Sequence, residues 1–533
     1  MSVATEPSKA RRYIGGMSHA APLTSIDRNR SFPVLARIEQ AALAHRTRSA
    51  WIIVGLLLVI GFLIRLPQLG HRLAGAHSFW ETQAAFTARE YAITGIDLFR
   101  TPLPVFGANA SVPFDVPLVP ALTSLLVRTG VDAATAIRIV GLAGFTTTGA
   151  LLALLLMRWH SARAAALAVA LFEFLPFGLR WGAGGFVDFV GIALALAMVA
   201  GLDAGMRGNR VWLVAGGAAG ALAFLIAPTI APLYLLLVAA SAWIRAIELG
   251  WKTIRRPLAW GAIGPLVGCG LVIAWTVSAD AAKAAHETTR FLTTGNLRDW
   301  LFGTLAERGD PHSYATIAGN LSDEIAGPAL VGLIVALVAL IVMRDIRHRI
   351  LLAGLLAVVI AGPMVFLNQY VADSFPMIAI YPAAVGAMAV AAVSVARAVP
   401  LSAGRRTALT LTAAVLLIGS TAFSPNGRAD LAQFKHEAPL PAASELLLQK
   451  TRAQDDIVMI GCDWDPTILF NANRSGVMFR GSSAGHFWDL NAITQYRYLL
   501  SCNPQLDPSP YLPPGYAAEL IANGIYRVVP TGR

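Results

Sequence analysis

Long apolar stretches with few or no charged residues follow one another along most of the chain, and short clusters of arginine separate them. Such stretches match the roughly 20 residues that an α-helix needs to cross the hydrocarbon core of a bilayer. Only 14% of the 533 residues are charged, whereas soluble domains carry about 25%. A soluble fold of this size would lack the polar residues to cover its surface. The pattern therefore predicts a polytopic α-helical membrane protein.

Eleven apolar segments are long enough to be predicted as membrane-spanning helices. A further apolar segment, 116–127, is short and carries two prolines, so we expect it to form a helix at the outer membrane surface. The predicted spans are 51–69, 139–157, 164–179, 188–204, 211–226, 229–244, 258–278, 326–343, 350–367, 375–396 and 407–423.

The arginine clusters predict the orientation of these spans. With eleven spans, every loop on the side of the N-terminus is basic, and the positive-inside rule assigns that side to the cytoplasm. Segment 1–50 is basic and has no apolar run, so we expect a cytoplasmic tail rather than a signal peptide. The net charge of +11 is then mainly an orientation signal in the inner membrane and gives no support to nucleic-acid binding. The basic residues of these loops are Arg158, Arg163, Arg207, Arg210, Arg245, Lys252, Arg255, Arg256, Arg344, Arg347, Arg349, Arg397, Arg405 and Arg406.

Three larger segments fall on the opposite, extracytoplasmic side of the transmembrane domain 51–423. They are the outer loops 70–138 and 279–325 and the C-terminal segment 424–533. The C-terminal segment has a composition close to that of a soluble protein, and its pattern predicts a small extracytoplasmic α/β domain. Its predicted strands are 456–462, 476–479, 496–501 and 526–529, and its predicted helix is 514–523.

The three cysteines indicate at most one disulfide. Cys269 lies inside a predicted span, where it suits a small apolar residue. Cys462 and Cys502 both lie in the outer domain and are candidates for a disulfide in an oxidising compartment. No phosphate-binding loop, dinucleotide fingerprint or metal-ligand spacing of Cys and His occurs. Any chemistry must therefore come from other polar residues near the outer membrane surface.

Two carboxylates in the first outer loop are candidate catalytic groups. Glu81 opens a predicted helix about a dozen residues after the first span. A single glutamate in a loop is more often a solvated surface acid, and that alternative stays open. Asp115 stands between Pro113 and Pro117 on a stiff backbone, where it is also suited to cap the following surface helix.

A third group brackets the glycine-rich turn between two spans. Arg180 precedes this turn and Asp188 follows it. Ionisable residues at membrane depth are costly and usually serve a function. The structural alternative is an ion pair between Arg180 and Asp188 that caps the two helix ends. Glu173 lies one helical turn below the outer surface and is spaced to pair with Arg180 on the same helix face.

In their order and spacing, these residues resemble the bacterial lipid-linked-sugar glycosyltransferases of the GT-C fold. The most similar group is the protein-mannosyltransferase-like set that includes the aminoarabinose transferases. The resemblance covers about residues 50–400 and depends on the ordered set rather than on one motif. Its elements are Glu81 with Ala88-Arg89-Glu90-Tyr91, Phe114-Asp115-Val116-Pro117-Leu118, Arg138, Met157-Arg158-Trp159, Arg180, Asp188, Asn368-Gln369-Tyr370 and Ser374-Phe375-Pro376.

The chain departs from the family pattern at three positions. Trp80 precedes Glu81 where the family often has an Asp-Glu pair, and Gln369 precedes Tyr370 where a His or Arg is usual. The segment Ala227-Pro228-Thr229 lacks the lysine that is common there. Two cations expected near a lipid phosphate are thus missing. Either other cations replace them, or the donor headgroup differs, or the protein has lost activity; the candidate replacements are Arg180, Lys283, Arg290 and His286.

The resemblance implies a polyprenyl-phosphate-linked sugar donor and an acceptor hydroxyl on a glycan, a lipid or a protein. This chemistry needs a carboxylate base, for which we expect Glu81, with Asp115 orienting the acceptor or assisting. It also needs a cation for the leaving phosphate, for which we expect Arg180. Some members of the family use a divalent metal, so the resemblance also allows one held by Glu81 with Asp188 or Asp115. The further expected substrate contacts are Asp188, Arg89, His286, Arg290 and Tyr370.

Two other classes of function stay open. A transporter or flippase would show internal repeats and broken helices near the midplane. The sequence shows no repeat between its halves, and its polar residues cluster at one surface. A non-catalytic assembly partner would use the outer α/β domain to bind another envelope protein, and the missing cations keep that alternative open.

Overall fold

The computed structural model describes residues 33–75, 77–107, 110–286, 288–479, 496–503 and 505–531. The described residues divide into two units between Ser49 and Ala50: the beginning of the first helix is one unit, and the residues from Ala50 onward are the other. The helices are α1 (Pro33–Arg65), α2 (Ser78–Thr94), α3 (Leu118–Arg128), α4 (Ala133–Trp159), α5 (Ala162–Phe174), α6 (Pro176–Gly182), α7 (Asp188–Met206), α8 (Arg210–Ile226), α9 (Ala231–Leu249), α10 (Trp251–Ala284), α11 (Arg298–Phe302), α12 (Leu305–Gly309), α13 (Pro311–Leu321), α14 (Val331–Val342), α15 (Ile346–Val365), α16 (Leu367–Ala372), α17 (Tyr381–Ala398), α18 (Ala403–Phe423), α19 (Pro425–Lys435), α20 (Ala442–Lys450) and α21 (Thr467–Ala472).

Within the described residues, eight helices are long and apolar enough to cross a membrane. Two bent pairs, Ala162–Phe174 with Pro176–Gly182 and Pro311–Ala326 with Pro328–Val342, raise the number to ten if each pair is one span. The one remaining predicted span, 211–226, is α8, an apolar helix of 17 residues. Each predicted span thus contains a helix, and the predicted class, a polytopic helical membrane protein, is confirmed. The short segment 116–127 forms α3, as expected.

The spans differ in how much protein covers them. The most apolar window of α7 is 78% buried, and that of α17 is 72% buried. The corresponding window of α18 is only 11% buried. We conclude that α7 and α17 form the centre of the bundle, whereas the exposed apolar side chains of α18 suit contact with lipid. In segment 1–50, which was expected to be a loose tail, α1 already begins at Pro33.

A buried ion pair joins α1 to α5. Arg65 Nη1 lies 2.6 Å from Glu173 Oε2, and the two side chains are 0% and 1% exposed. The guanidinium also donates to the carbonyl oxygens of Gly61, Glu173 and Gly178. The sequence suggested that Glu173 pairs with Arg180, and this is wrong. The chain bends by 66° between α5 and α6, so residues 173 and 180 do not share one helix face.

The C-terminal segment forms the predicted small α/β domain. Its five-stranded sheet has the order β2-β1-β3-β5-β4. Strand β1 lies between β2 and β3 and is parallel to both, whereas β5 is antiparallel to both β3 and β4. Cys462 and Cys502 form a disulfide just beyond the ends of β1 and β3. The strands are β1 (Asp456–Ile460), β2 (Gly476–Phe479), β3 (Tyr496–Ser501), β4 (Tyr516–Ala522) and β5 (Ile525–Pro530).

The helix predicted at 514–523 is wrong, because this segment contains β4. Asn523 and Gly524 connect β4 to β5, and Gly524 has a positive φ of 73°. An Asn-Gly pair is the favoured two-residue connection of a β-hairpin. Beside this turn, β4 pairs with β5 from Tyr516 to Ala522, with a register shift between Leu520 and Ala522.

The first outer loop continues the sheet beyond β2. The N–H of Gly476 donates to the carbonyl of Pro104 at 2.8 Å, and the N–H of Met478 donates to Val105 at 2.9 Å. Phe86 of α2 and Val105 share a buried apolar cluster with Met459 of β1. The loop and the C-terminal domain therefore pack as one body at this end of the bundle, called the sheet end below. The domain boundary at residue 424 stays a prediction.

Candidate active site

Glu81 lies in the first turn of α2 and faces the helix bundle. Its side chain is buried, with 6% of its surface exposed. Oε1 accepts a 2.6 Å hydrogen bond from the N–H of Gly185 and lies 3.6 Å from Arg138 Nε. The backbone donor and the guanidinium together compensate the loss of water around this carboxylate.

A face of α2 next to the one that carries Glu81 is held by the C-terminal domain. The hydroxyls of Ser78 and Thr82, one helical turn apart, lie 3.1 and 3.3 Å from the hydroxyl of Thr467 in α21. Gly95 ends the helix at a φ of 100°, and its N–H donates to the carbonyl of Tyr91. The bundle and the domain thus both hold the first turns of α2, and these contacts determine the position of Glu81.

Arg138 of α4 connects Glu81 to the end of the first span. Its Nη1 donates to the carbonyl oxygens of Gln68 and His71, at 2.6 and 2.8 Å, and Nη2 donates to Arg72 at 3.2 Å. The guanidinium therefore has its terminal nitrogens bound to backbone and its Nε directed to the Glu81 carboxylate. In the sequence, Arg138 stands out only as one element of the family resemblance.

Glu81 borders a pocket of about 430 Å³ at the sheet end of the bundle. Arg138 and Arg180 border the same pocket, as do the chain after α1 and the chain after α19. Three further basic side chains, His71, Arg72 and His436, face it, against one other acid, Glu437. The pocket therefore combines a carboxylate with a lining rich in cations, which suits a ligand that carries a phosphate.

Arg180 is held by an acid that sequence analysis did not consider. Its Nη1 lies 2.5 Å from Asp430 Oδ1 in α19, and its guanidinium lies 4.2 Å from the centroid of the Trp181 indole. Burial raises the pKa of Asp430, although Arg180 opposes that shift. The alternative ion pair between Arg180 and Asp188 is therefore wrong. Among the described residues, Arg180 Nη2 has no hydrogen-bond partner although it is buried.

A second group of charged residues surrounds Asp115. Asp188 begins α7, where the helix dipole favours a negative charge, and it interacts electrostatically with Asp115. Lys283 of α10 attracts Asp115 and also lies 2.9 Å from Asp280. Because Asp188 follows the turn whose Gly185 binds Glu81, this turn links the second group to the Glu81 pocket.

The environment of Asp115 changes its acidity. Solvent reaches the carboxyl, but the surrounding protein removes much of its hydration. This desolvation raises the pKa of Asp115 to about 6, and the charge of Lys283 limits the rise. Asp115 therefore changes its protonation state close to neutral pH.

The other predicted substrate contacts do not border the Glu81 pocket. Tyr370 is 1% exposed in the core of the bundle. Arg89 faces the C-terminal domain, where Nη1 donates to Asn473 Oδ1 at 2.8 Å. His286 and Arg290 are exposed just after the end of α10. Their roles in binding substrate stay predictions.

A metal held by Glu81 and Asp188 does not fit the described geometry. Arg138 lies beside the Glu81 carboxylate, and Oε1 already accepts the N–H of Gly185. A cation placed there would meet the positive charge of the guanidinium. In the part of the chain that the structure describes, no group of three or more His, Cys, Asp or Glu residues is arranged to hold a metal ion.

The helix bundle with a small sheet domain at one end is the GT-C fold of membrane glycosyltransferases, and the predicted fold is confirmed by solved structures. The crystal structure of ArnT from Cupriavidus metallidurans bound to undecaprenyl phosphate has a TM-score of 0.58 and 15% sequence identity, and the match covers 90% of this chain and 97% of that chain. The crystal structure of ArnT from Cupriavidus metallidurans in the apo state has a TM-score of 0.56 and 15% sequence identity, and the match covers 90% of this chain and 98% of that chain.

A cryo-EM structure of the arabinofuranosyltransferase AftD from Mycobacteria is also similar in fold. Its TM-score is 0.51 at 15% identity, and the match covers 90% of this chain but 40% of that chain. No protein-family model matches this chain, and no curated protein matches it. At this level of identity the comparisons establish the fold alone.

Proposed function

We propose that this protein is a membrane glycosyltransferase that moves a sugar from a polyprenyl-phosphate-linked donor to an acceptor hydroxyl. The similarity in fold to ArnT, which was crystallised with undecaprenyl phosphate, supports a lipid phosphate as the donor. The positive-inside rule supports a cytoplasmic N-terminus in the inner membrane and an outward-facing sheet end. The acceptor is then a glycan, lipid or protein on the extracytoplasmic side.

One observation carries this proposal. The Glu81 carboxylate and the unpartnered, buried Nη2 of Arg180 belong to residues that border one pocket. Sugar transfer from a lipid phosphate needs a proton acceptor and a donor of hydrogen bonds to the leaving phosphate. Glu81 supplies the first and Arg180 the second.

In the proposed step, the acceptor oxygen bonds to the anomeric carbon while the bond from that carbon to the phosphate oxygen breaks. Glu81 takes the proton of the acceptor hydroxyl, and polyprenyl phosphate leaves with the bonding electron pair. Arg180 Nη2 donates to the phosphate as its charge increases. Asp115 in its ionised form accepts a hydrogen bond from the acceptor and orients it. No step of this mechanism uses a metal.

The decisive experiment uses the full chain in lipid nanodiscs with short-chain polyprenyl-phosphate sugars and a panel of hydroxyl acceptors. We expect release of polyprenyl phosphate together with an equal amount of glycosylated acceptor. Translocation of intact lipid-linked sugar across vesicles that contain the protein, without cleavage, would instead identify a flippase. Donor binding without either activity would favour an assembly partner.

Arg180→Gln is expected to weaken donor binding about tenfold or more, because a charge-assisted hydrogen bond to phosphate contributes about 1.5–3 kcal/mol. The substitution also leaves Asp430 buried without its partner. The double variant R180Q/D430N removes both charges and keeps the pair neutral, so it should fold more stably than R180Q. The affinity of both variants for the polyprenyl-phosphate sugar donor is measured by isothermal calorimetry, without an acceptor.

Arg72→Gln is the matched control for this prediction. Arg72 borders the same pocket, but its side chain is 52% exposed and pairs with Glu437. We expect its donor affinity to remain within about twofold of the wild type, because an exposed charge contributes little. An affinity of R180Q/D430N equal to that of the wild type would contradict the role of Arg180.

The rate of transfer is expected to fall as the pH decreases through about 6, the pKa of Asp115. Desolvation by the surrounding protein raises this pKa, so Asp115 is protonated below pH 6 and loses the negative charge that makes it a strong hydrogen-bond acceptor for the substrate hydroxyl. The charged groups that act on Asp115 are Lys283 and Asp188, with Asp280 beside Lys283. The measurement is kcat/KM between about pH 5 and 8. Asp115→Asn should lower the plateau and remove this acid limb; an unchanged limb would assign it to another group.

A further inference from the structure

The loop between β1 and α21, residues 461–466, extends from the C-terminal domain to the candidate active site. Its Trp464 indole lies 4.3 Å from the centroid of Phe79, edge to face, and 5.0 Å from that of Phe114, with which it stacks at 23°. Phe79 precedes Glu81 by two residues in α2, and Phe114 directly precedes Asp115. One side chain of the sheet domain therefore contacts the neighbours of both candidate catalytic acids.

The same aromatic cluster includes the cation of the second group. Lys283 Nζ lies 5.6 Å from the centroid of the Phe114 ring, within the distance of a cation–π interaction. Aromatic pairs of this kind bury apolar surface and also fix the relative orientation of the side chains, because their rings prefer offset-stacked and edge-to-face arrangements. A shift of Phe114 would consequently move Asp115, the next residue in the chain. It would also change the cation–π contact between Phe114 and Lys283.

The loop itself is fixed at both ends. Cys462 is bonded to Cys502 after β3, and the N–H of Cys502 donates to Ile460 at 3.0 Å. On the other side of Trp464, Asp465 accepts the N–H of Thr467, whose hydroxyl contacts α2. Gly461 and Asp463 both adopt a positive φ, 65° and 55°, a conformation that glycine adopts freely and aspartate tolerates better than most residues. The loop built on this backbone brings Trp464 against Phe79 of α2 and Phe114.

We propose that Trp464 is a positioning residue: the C-terminal domain places it between Phe79 and Phe114 and thereby holds Glu81 and Asp115 in their working geometry. This inference rests on the proposed glycosyl transfer. It gives the C-terminal domain a part in the reaction, although Trp464 does not border the Glu81 pocket. The disulfide acts through Trp464, because it limits the movement of the loop.

The test compares Trp464→Ala, Trp464→Phe and the pair C462S/C502S with Trp300→Ala. Trp300 is a matched control because it is another partly exposed tryptophan, in α11 and outside the aromatic cluster. We expect W464A to lower kcat on the order of 10- to 100-fold with little change in donor KM, as for a misplaced catalytic group. W464F should recover most of the loss, C462S/C502S should lose less than W464A, and W300A should match the wild type.

A second measurement separates this inference from the proposed function. Hydrogen exchange of the amides in 110–118 is measured in the wild type and in W464A, without any substrate. We expect faster exchange in W464A, and the same slow exchange in W464F as in the wild type. If the wild type transfers no sugar, the proposed function fails and exchange alone decides the role of Trp464. Unchanged kcat and unchanged exchange in W464A would overturn the inference.

Discussion

Replacing Glu81 by glutamine is expected to lower the rate of sugar transfer by about 10²- to 10⁴-fold, the usual contribution of a general base. Glutamine has almost the shape of glutamate, and its amide oxygen is still able to accept the N–H of Gly185. It cannot take a proton from the acceptor at neutral pH. Arg138 keeps its three backbone acceptors, so the variant should fold and bind donor nearly as the wild type does.

Glu437→Gln is the matched control for this variant. Glu437 borders the same pocket, but its side chain is 37% exposed and its partner is the exposed Arg72. Both substitutions remove one negative charge from the same pocket. If only E81Q loses turnover, the loss is due to the position of Glu81 and not to the total charge of the pocket. Turnover and donor affinity are measured for both, with melting temperature as the test of folding. Near-normal turnover in E81Q would remove Glu81 from the mechanism and leave Asp115 and Asp188 as the candidate bases.

The sequence predicted the fold well because its strongest signals are local. A membrane span is recognised from a single apolar segment, and the basic loops between spans constrain their number. The strands of the outer domain were also visible as short apolar runs between turn residues. The exception was 514–523, where the Asn523-Gly524 turn marks a hairpin that the helical pattern concealed.

The candidate site was predicted only in part, because ion pairing depends on long-range contacts. Acids at the outer surface were found, but the partner of Arg180 is Asp430, which lies 250 residues further along the chain. Likewise, Glu173 is 108 residues from Arg65. A helix bend of 66° separates Glu173 from the arginine that sequence spacing favoured. No local residue pattern predicts that Trp464 contacts α2, because Trp464 and α2 lie far apart in the sequence.

Glu173→Gln is expected to destabilise the protein by about 3–5 kcal/mol, the usual cost of removing one partner from a buried ion pair. Arg65 is 0% exposed and would keep its charge in the interior with only carbonyl acceptors around it. Removing an exposed charge such as Glu437 should instead cost less than about 1 kcal/mol. The measurement is the melting temperature of the purified variants in one detergent, with E437Q as the control.

The double variant R65L/E173L separates two interactions of Arg65: its ion pair with Glu173 and its hydrogen bonds to backbone carbonyls. It removes both charges, so the cost of an unpaired buried charge disappears and the protein should be more stable than either single variant. It should still be less stable than the wild type. Arg65 Nη2 also donates to the carbonyls of Glu173 and Gly178 at the bend between α5 and α6, and the double variant loses both hydrogen bonds. If the double variant melts no higher than the single ones, these carbonyls rather than Glu173 are the reason that a charged residue ends the first span.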